Sequence, residues 1–289
     1  MEIKYLSLLV LVGLSPLNGA AVEAVGPDGA AMVLVRQGEF LMGSLPGEGE
    51  VDEYPQHKVN LDAYLIDKYP VTNEQYAKFL NAYAYGKDVD ENGETMIYEH
   101  PRGVKKADVR WTAARGYEKH PVIFVTWYGA NQYAKHFNKR LPTEAEWEKA
   151  AKAGGGDGEA QLKGHAWYVK NSGGKTHPVG TKKSNTRGLH DMQGNVGQWC
   201  GDWYDPGYYG KSPAANPTGP ERAPEIQGQK DAQVSLPYRA DTGHSRSIRG
   251  CGWQGDVNGC RAGHRMWGDP EFRADYIGFR CVAQPAERP

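Results

Sequence analysis

Four cysteines and nine histidines are the residues of this 289-residue chain best equipped for bond making or metal binding. Cys200, Cys251, Cys260 and Cys281 all fall in the last third. Thiols can hold a soft metal, pass electrons or cross-link the chain. An even number in an exported chain favours cross-links, and four cysteines allow three pairings, which spacing leaves open. Cys251, Cys260 and His264 read C-x8-C-x3-H, an irregular spacing for zinc. The histidines contain no H-x-x-x-H or H-E-x-x-H pair, and the chain has no G-x-S-x-G elbow and no phosphate loop. Arg249, Arg261, Arg265, Arg273 and Arg280 gather near the C-terminus. Such residues serve either as buried carboxylate partners or as a groove for anionic ligands.

These residues need elements to position them. Thr72 with Gln75 and Thr143 with Glu146 have the S/T-x-x-E/Q spacing of a capping box. Tyr76, Phe79, Leu80 and Tyr83 follow the first at helical spacing, and Trp147, Ala150 and Ala151 follow the second. Ala130, Tyr133, Ala134 and Phe137 carry the same period between them. Met32 to Met42 and Lys58 to Asp67 read as strands. Helical periodicity disappears from residue 154 onward. Residues 84–120 and 205–245 look like long surface excursions. The coarse expectation is two capped helices and a loop-rich, irregular β region.

Composition agrees. Glycine (37) and proline (18) are abundant, which fits neither a helix bundle nor a doubly wound sheet. With 34 Lys+Arg against 35 Asp+Glu, the net charge of −1 offers no nucleic-acid surface. Residues 1–24 (MEIKYLSLLVLVGLSPLNGAAVEA) have the pattern of a cleaved secretory signal: one lysine, an apolar run, then small residues. The expected organisation is a signal peptide over 1–24 and a single domain over 25–289. The expected location is periplasmic or secreted, with no membrane span once the signal is cleaved.

Six ordered blocks then point to a family: MVLVRQGEFLMGS, LDAYLIDKYPVTNEQYAKF, PVIFVTWYGANQYAKHFNKRLPTEAEWEKAA, GLHDMQGNVGQWCGDWY, RGCGW and IGFRCV. The chain resembles the formylglycine-generating enzyme family, also called the sulfatase-modifying factor domain. The resemblance implies an α+β, C-type lectin-like fold, loop-rich with little regular secondary structure. Members that generate formylglycine oxidise a sulfatase cysteine with two Cu(I)-binding cysteines, five positions apart, just after a Gly-Gly-Ser-aromatic block. Here that block is Gly250-Cys251-Gly252-Trp253, and Gln254 to Gly259 contain no cysteine. A linear Cu(I) site needs two facing thiolates, so copper is not expected.

The resemblance implies two disulfides instead, Cys200–Cys260 and Cys251–Cys281, each contributing typically ~2–4 kcal/mol. It also implies a Ca²⁺ loop, with Asp191 and Gln198 giving side-chain oxygens and Gly194 and Val196 giving carbonyls. Gln198 stands where the family usually has Glu, keeping an oxygen and losing a charge. Trp253, Asp256, His264 and Trp267 form the expected ligand-facing cleft, the candidate catalytic residues of any chemistry there. Arg265 and Arg280 match arginines that the family uses as buried structural partners. The expected function is a binding or accessory protein of the cell envelope, taking a small-molecule or protein/peptide ligand, without formylglycine generation. The alternatives are a periplasmic oxidoreductase acting on a small molecule such as a pyoverdine-type siderophore precursor, a copper-dependent formylglycine-generating oxidase acting on a sulfatase, and an envelope assembly factor.

Overall fold

The computed structural model describes residues 10–12, 22–83, 86–153, 158–223 and 244–285. Most of the expected signal segment and residues 224–243 of the second excursion lie outside them.

β1 (Val10–Val12), β2 (Glu23–Val25) and β3 (Ala31–Val35) pair antiparallel in succession. β4 (Gly38–Met42) and β5 (His57–Leu61) form a separate antiparallel pair. β6 (Tyr64–Asp67) returns to β3 with all four residues buried. α1 (Asn73–Ala82) begins at the first capping box: Thr72 accepts from the Gln75 N–H and Gln75 accepts from the Thr72 N–H. β7 (Val104–Ala107) and β8 (Arg110–Ala113) make a hairpin turned by Asp108 at φ 55°. α2 (Trp127–His136) is capped by Thr126, and α3 (Glu144–Ala151) by the second capping box, as the spacing predicts.

α4 (Glu159–His165) precedes β9 (Gly197–Trp203), β10 (Arg246–Arg249) and β11 (Arg265–Gly268). The short β12 (Ile277–Gly278) and β13 (Val282–Ala283) end the chain. One sheet has the order β1-β2-β3-β6-β13 and another β11-β10-β9-β12, in which β12 runs parallel to β9. The last strand thus closes the sheet that the first strands open. One core region gathers Tyr76, Phe79, Tyr133, Trp199 and Phe279; a second gathers Val33, Val59, Ile66, Trp147, Cys200 and Tyr209. No helix among the described residues is long and apolar enough to cross a membrane.

Two expectations need correction. The 84–120 stretch is not a bare surface loop, because β7 and β8 fold inside it and bury Trp111, whose indole N–H donates to Gly86 O at 3.0 Å. α4 was not expected; its one buried residue, Leu162, gives no helical period to read. Glu23–Val25, at the end of the expected signal segment, is a strand paired with β3, with Ala24 buried.

Candidate functional site

The cysteines decide what chemistry is open. Cys251 follows β10 and Cys260 ends the next turn; their Cα atoms stand 4.8 Å apart and the two are joined as a disulfide. Gly255 lies across the bridge, where a Cβ would come within 3.2 Å of both sulfurs. Cys200 and Cys281 are free and fully buried. The expected pairings Cys200–Cys260 and Cys251–Cys281 are therefore not formed. The reason is packing: β9 points Cys200 into the core around Trp147, Cys281 packs with Tyr133 and Phe279, and Cys251 and Cys260 share a small cluster with Leu162 and Tyr168. Burial pushes the pKa of both free thiols well up. A bridged pair and two buried, protonated thiols do not fit a linear Cu(I) site.

The 190–198 loop is built on left-handed residues, Asp191 (φ 51°), Gly194 (φ 84°) and Asn195 (φ 63°). Gly194 has no room for a side chain, because a Cβ would meet Trp167 O at 2.4 Å. Asp191 Oδ2 accepts from Gly180 N at 2.7 Å, and burial raises its pKa. Gln198 Nε2 donates to Asp191 O at 2.7 Å and, more weakly, to Val196 O at 3.5 Å. Its Oε1 accepts from Trp147 Nε1 at 2.8 Å and Arg280 Nε at 2.7 Å. Arg280 Nη2 donates to His190 O at 2.7 Å and Asp191 O at 3.0 Å. Of the two carbonyls expected to face Ca²⁺, Val196 O faces the Gln198 NH₂ and Gly194 O accepts from Val196 N at 2.8 Å, while the Gln198 oxygen is taken by two donors. Calcium needs oxygens turned inward, so this donor set does not fit it.

Each of the four expected cleft residues has a different engagement. Trp253 Nε1 donates to Asp275 O at 2.9 Å. Asp256 Oδ1 accepts from Gly259 N at 2.8 Å and closes its own turn. His264 is mostly buried, and burial lowers its pKa. Trp267 stacks on Tyr204 with ring centroids 4.5 Å apart. None of the four lines the cavities of about 490, 290 and 370 Å³.

Arg265 and Arg280, which carry the family match, are buried, as is Arg249, whereas Arg273 is exposed. Glu144 accepts from Arg265 Nε at 2.7 Å, Arg265 Nη2 at 2.9 Å and Arg249 Nη1 at 3.1 Å. Burial opposes ionisation of Glu144, but Arg265 and Arg249 overcome it and hold its pKa at about 2. Arg261 clamps Glu53 through two hydrogen bonds, 2.8 and 2.6 Å long.

A cavity of about 490 Å³ opens between α2, α3, β9 and β10. Arg246 lines it, its guanidinium 3.8 Å from the Trp127 ring centroid and 3.4 Å from that of Trp203. Its Nη1 donates to Gly201 O at 2.7 Å, and burial lowers its pKa to about 10. Asp202 lines the same cavity, and burial, then Glu144, pushes its carboxyl well up. Sequence reasoning missed this group. No local spacing links Trp127 or Trp203 to Arg246.

Fold and thiol geometry together define the class, and the comparisons agree. The chain belongs to the sulfatase-modifying factor enzyme 1-like domain family, whose model matches residues 20–285. Its fold is the C-type lectin-like, α+β fold of formylglycine-generating-enzyme-like proteins. Among known proteins, it is 30% identical to the formylglycine-generating enzyme of Streptomyces coelicolor, over 85% of this chain and 86% of that one. It is 36% identical to the serine/threonine-protein kinase Pkn1 of Chlamydia trachomatis, over 87% of this chain but 38% of that relative, so it spans about two fifths of that protein. Among solved structures, PvdO from Pseudomonas aeruginosa superposes with a TM-score of 0.68 at 24% identity, covering 94% of this chain and 100% of that one.

Proposed function

We propose that this domain is an exported binding or accessory module of the cell envelope that does not generate formylglycine. The observation that carries this reading is the Cys251–Cys260 bridge, with Cys200 and Cys281 sealed in the core. No accessible pair of thiols among the described residues can grip Cu(I) or pass electrons to a substrate cysteine. The Arg246–Trp127–Asp202 cavity, about 490 Å³, is of a size suited to a small-molecule or peptide ligand. The signal-like pattern of residues 1–24 supports a periplasmic or secreted location, where a structural disulfide persists.

The test is direct. The mature protein is loaded with Cu(I) and incubated with a sulfatase-type cysteine peptide, and the peptide mass is followed. No conversion is expected. Alkylation without reductant should label no thiol in the native protein and two after unfolding, Cys200 and Cys281. Copper-dependent conversion of the peptide, with four alkylatable thiols, overturns the reading.

A further inference from the structure

Lys149, in the last turn of α3, is 5% exposed. Its Nζ donates to Arg36 O at 3.0 Å, in the β3–β4 turn, and to Gly38 O at 2.7 Å, at the start of β4. No carboxylate among the described residues lies within ion-pair distance of it. An ammonium carries three N–H donors, so one remains unspent. What stands beside Lys149 is another cation. Arg187 Nη1 donates to Lys149 O at 2.8 Å, and burial and then Arg187 lower the Lys149 pKa. Arg187 has no carboxylate partner among the described residues either, and the exposed Arg36 completes the group.

All three line one cavity of about 370 Å³, together with Thr186 and the apolar Val22 and Leu34. Glu39 is the one carboxylate on the rim; it is exposed and stands 4.0 Å from Lys58. Arg280, also buried without a carboxylate, spends its donors on Gln198 and four backbone carbonyls, and three further buried cations are paired with carboxylates. Lys139 is held by Asp28 and Asp67, Arg249 by Glu144 and Glu148, and Arg265 by Glu144. Like charges gathered around a void without such compensation are costly, and an anion in the void removes the cost. Arginine and lysine donors beside a hydroxyl match a tetrahedral oxyanion.

We propose that this cavity is a binding site for a phosphate or sulfate group, with Arg187, Lys149, Arg36 and Thr186 as its donors. Val22 and Leu34 offer the organic part of an ester an apolar wall. The site lies outside the larger cavity and away from the cysteines, so it stands or falls separately from the reading above.

Titration calorimetry tests it, with inorganic phosphate, phenyl phosphate and phenyl sulfate as probes and sodium chloride holding ionic strength constant. One-to-one binding is expected. Arg187→Gln should weaken it about tenfold, and Arg36→Gln less but measurably. Arg36→Gln removes no described side-chain hydrogen bond and leaves the fold intact, so its result stands even if Arg187→Gln unfolds the chain. Phenyl esters tighter than inorganic phosphate identify an organic ester as the ligand; equal affinity identifies the oxyanion alone. Binding no tighter than that of chloride, or equal binding by wild type and Arg36→Gln, overturns the proposal.

Discussion

At the residue scale, single side chains decide which family chemistry survives. Gln198 is the clearest case. The sequence showed the loss of a charge at this position but not which way the amide would face. Trp147 and Arg280 settle that, because each donates to Oε1 and so turns the NH₂ onto the carbonyls of Asp191 and Val196. Those carbonyls and the Gln198 oxygen are then spent on N–H donors, and wild-type melting should not respond to Ca²⁺ or EDTA. Gln198→Glu sets a carboxylate against those carbonyls, so its melting temperature should fall in EDTA and recover in millimolar Ca²⁺. A Ca²⁺-dependent rise in the wild-type melting temperature would contradict the hydrogen-bond arrangement described above. The cysteines teach the same lesson. Their types and count were legible, whereas the pairing depends on which core each thiol enters, and that is set by residues far away in sequence.

At the element scale, what the sequence revealed was local physics. Both capping boxes were visible because their donors and acceptors lie three residues apart. The β7–β8 hairpin was not, because only Val104 and Trp111 in it are buried and two residues make no period. α3 is the element on which most depends, since all eight of its residues are buried and it carries Glu144, Trp147, Glu148 and Lys149. Thr143 Oγ1 accepts from Glu146 N at 3.1 Å, and a Glu146 oxygen accepts from Thr143 N at 2.8 Å. Thr143→Ala should therefore cost about 1–2 kcal/mol. Urea unfolding measures this as a lower midpoint at unchanged slope. An unchanged midpoint would mean that tertiary packing alone fixes the start of α3.

At the scale of the whole molecule, the fold is held by contacts that no local pattern announces. Arg265 and Glu144 lie 121 positions apart and meet in the core. Such pairs make stability depend on pH in a direction that can be worked out. Glu144 keeps its charge in the folded chain down to about 2, against an ordinary value of 4.5. Between those values the unfolded chain binds the extra proton, so the contribution of Glu144 is complete above about pH 4.5 and is lost as pH falls toward 2. A shift of this size amounts to roughly 3 kcal/mol. Glu53, held low against its burial by Arg261 and Ser44, acts in the same direction. Asp67 acts in the opposite one. Burial raises its pKa to about 6 despite Lys139, so the folded chain holds the extra proton between about 4 and 6. Asp202 and Asp191, pushed up by burial, act with Asp67, whereas His120, lowered by burial to about 4, and His264 act against them. The trend between pH 7 and about 4.5 belongs to these groups, and the Glu144 contribution to urea stability should be lost below about pH 4.5. Above about pH 4.5, Glu144→Gln should be less stable by about 3–5 kcal/mol, because buried Arg265 loses its carboxylate and Arg249 one of its two. Its stability should also fall less steeply in acid. A variant whose stability falls below about pH 4.5 with the same slope as the wild type would show that the Glu144–Arg265–Arg249 group does not govern the acid response.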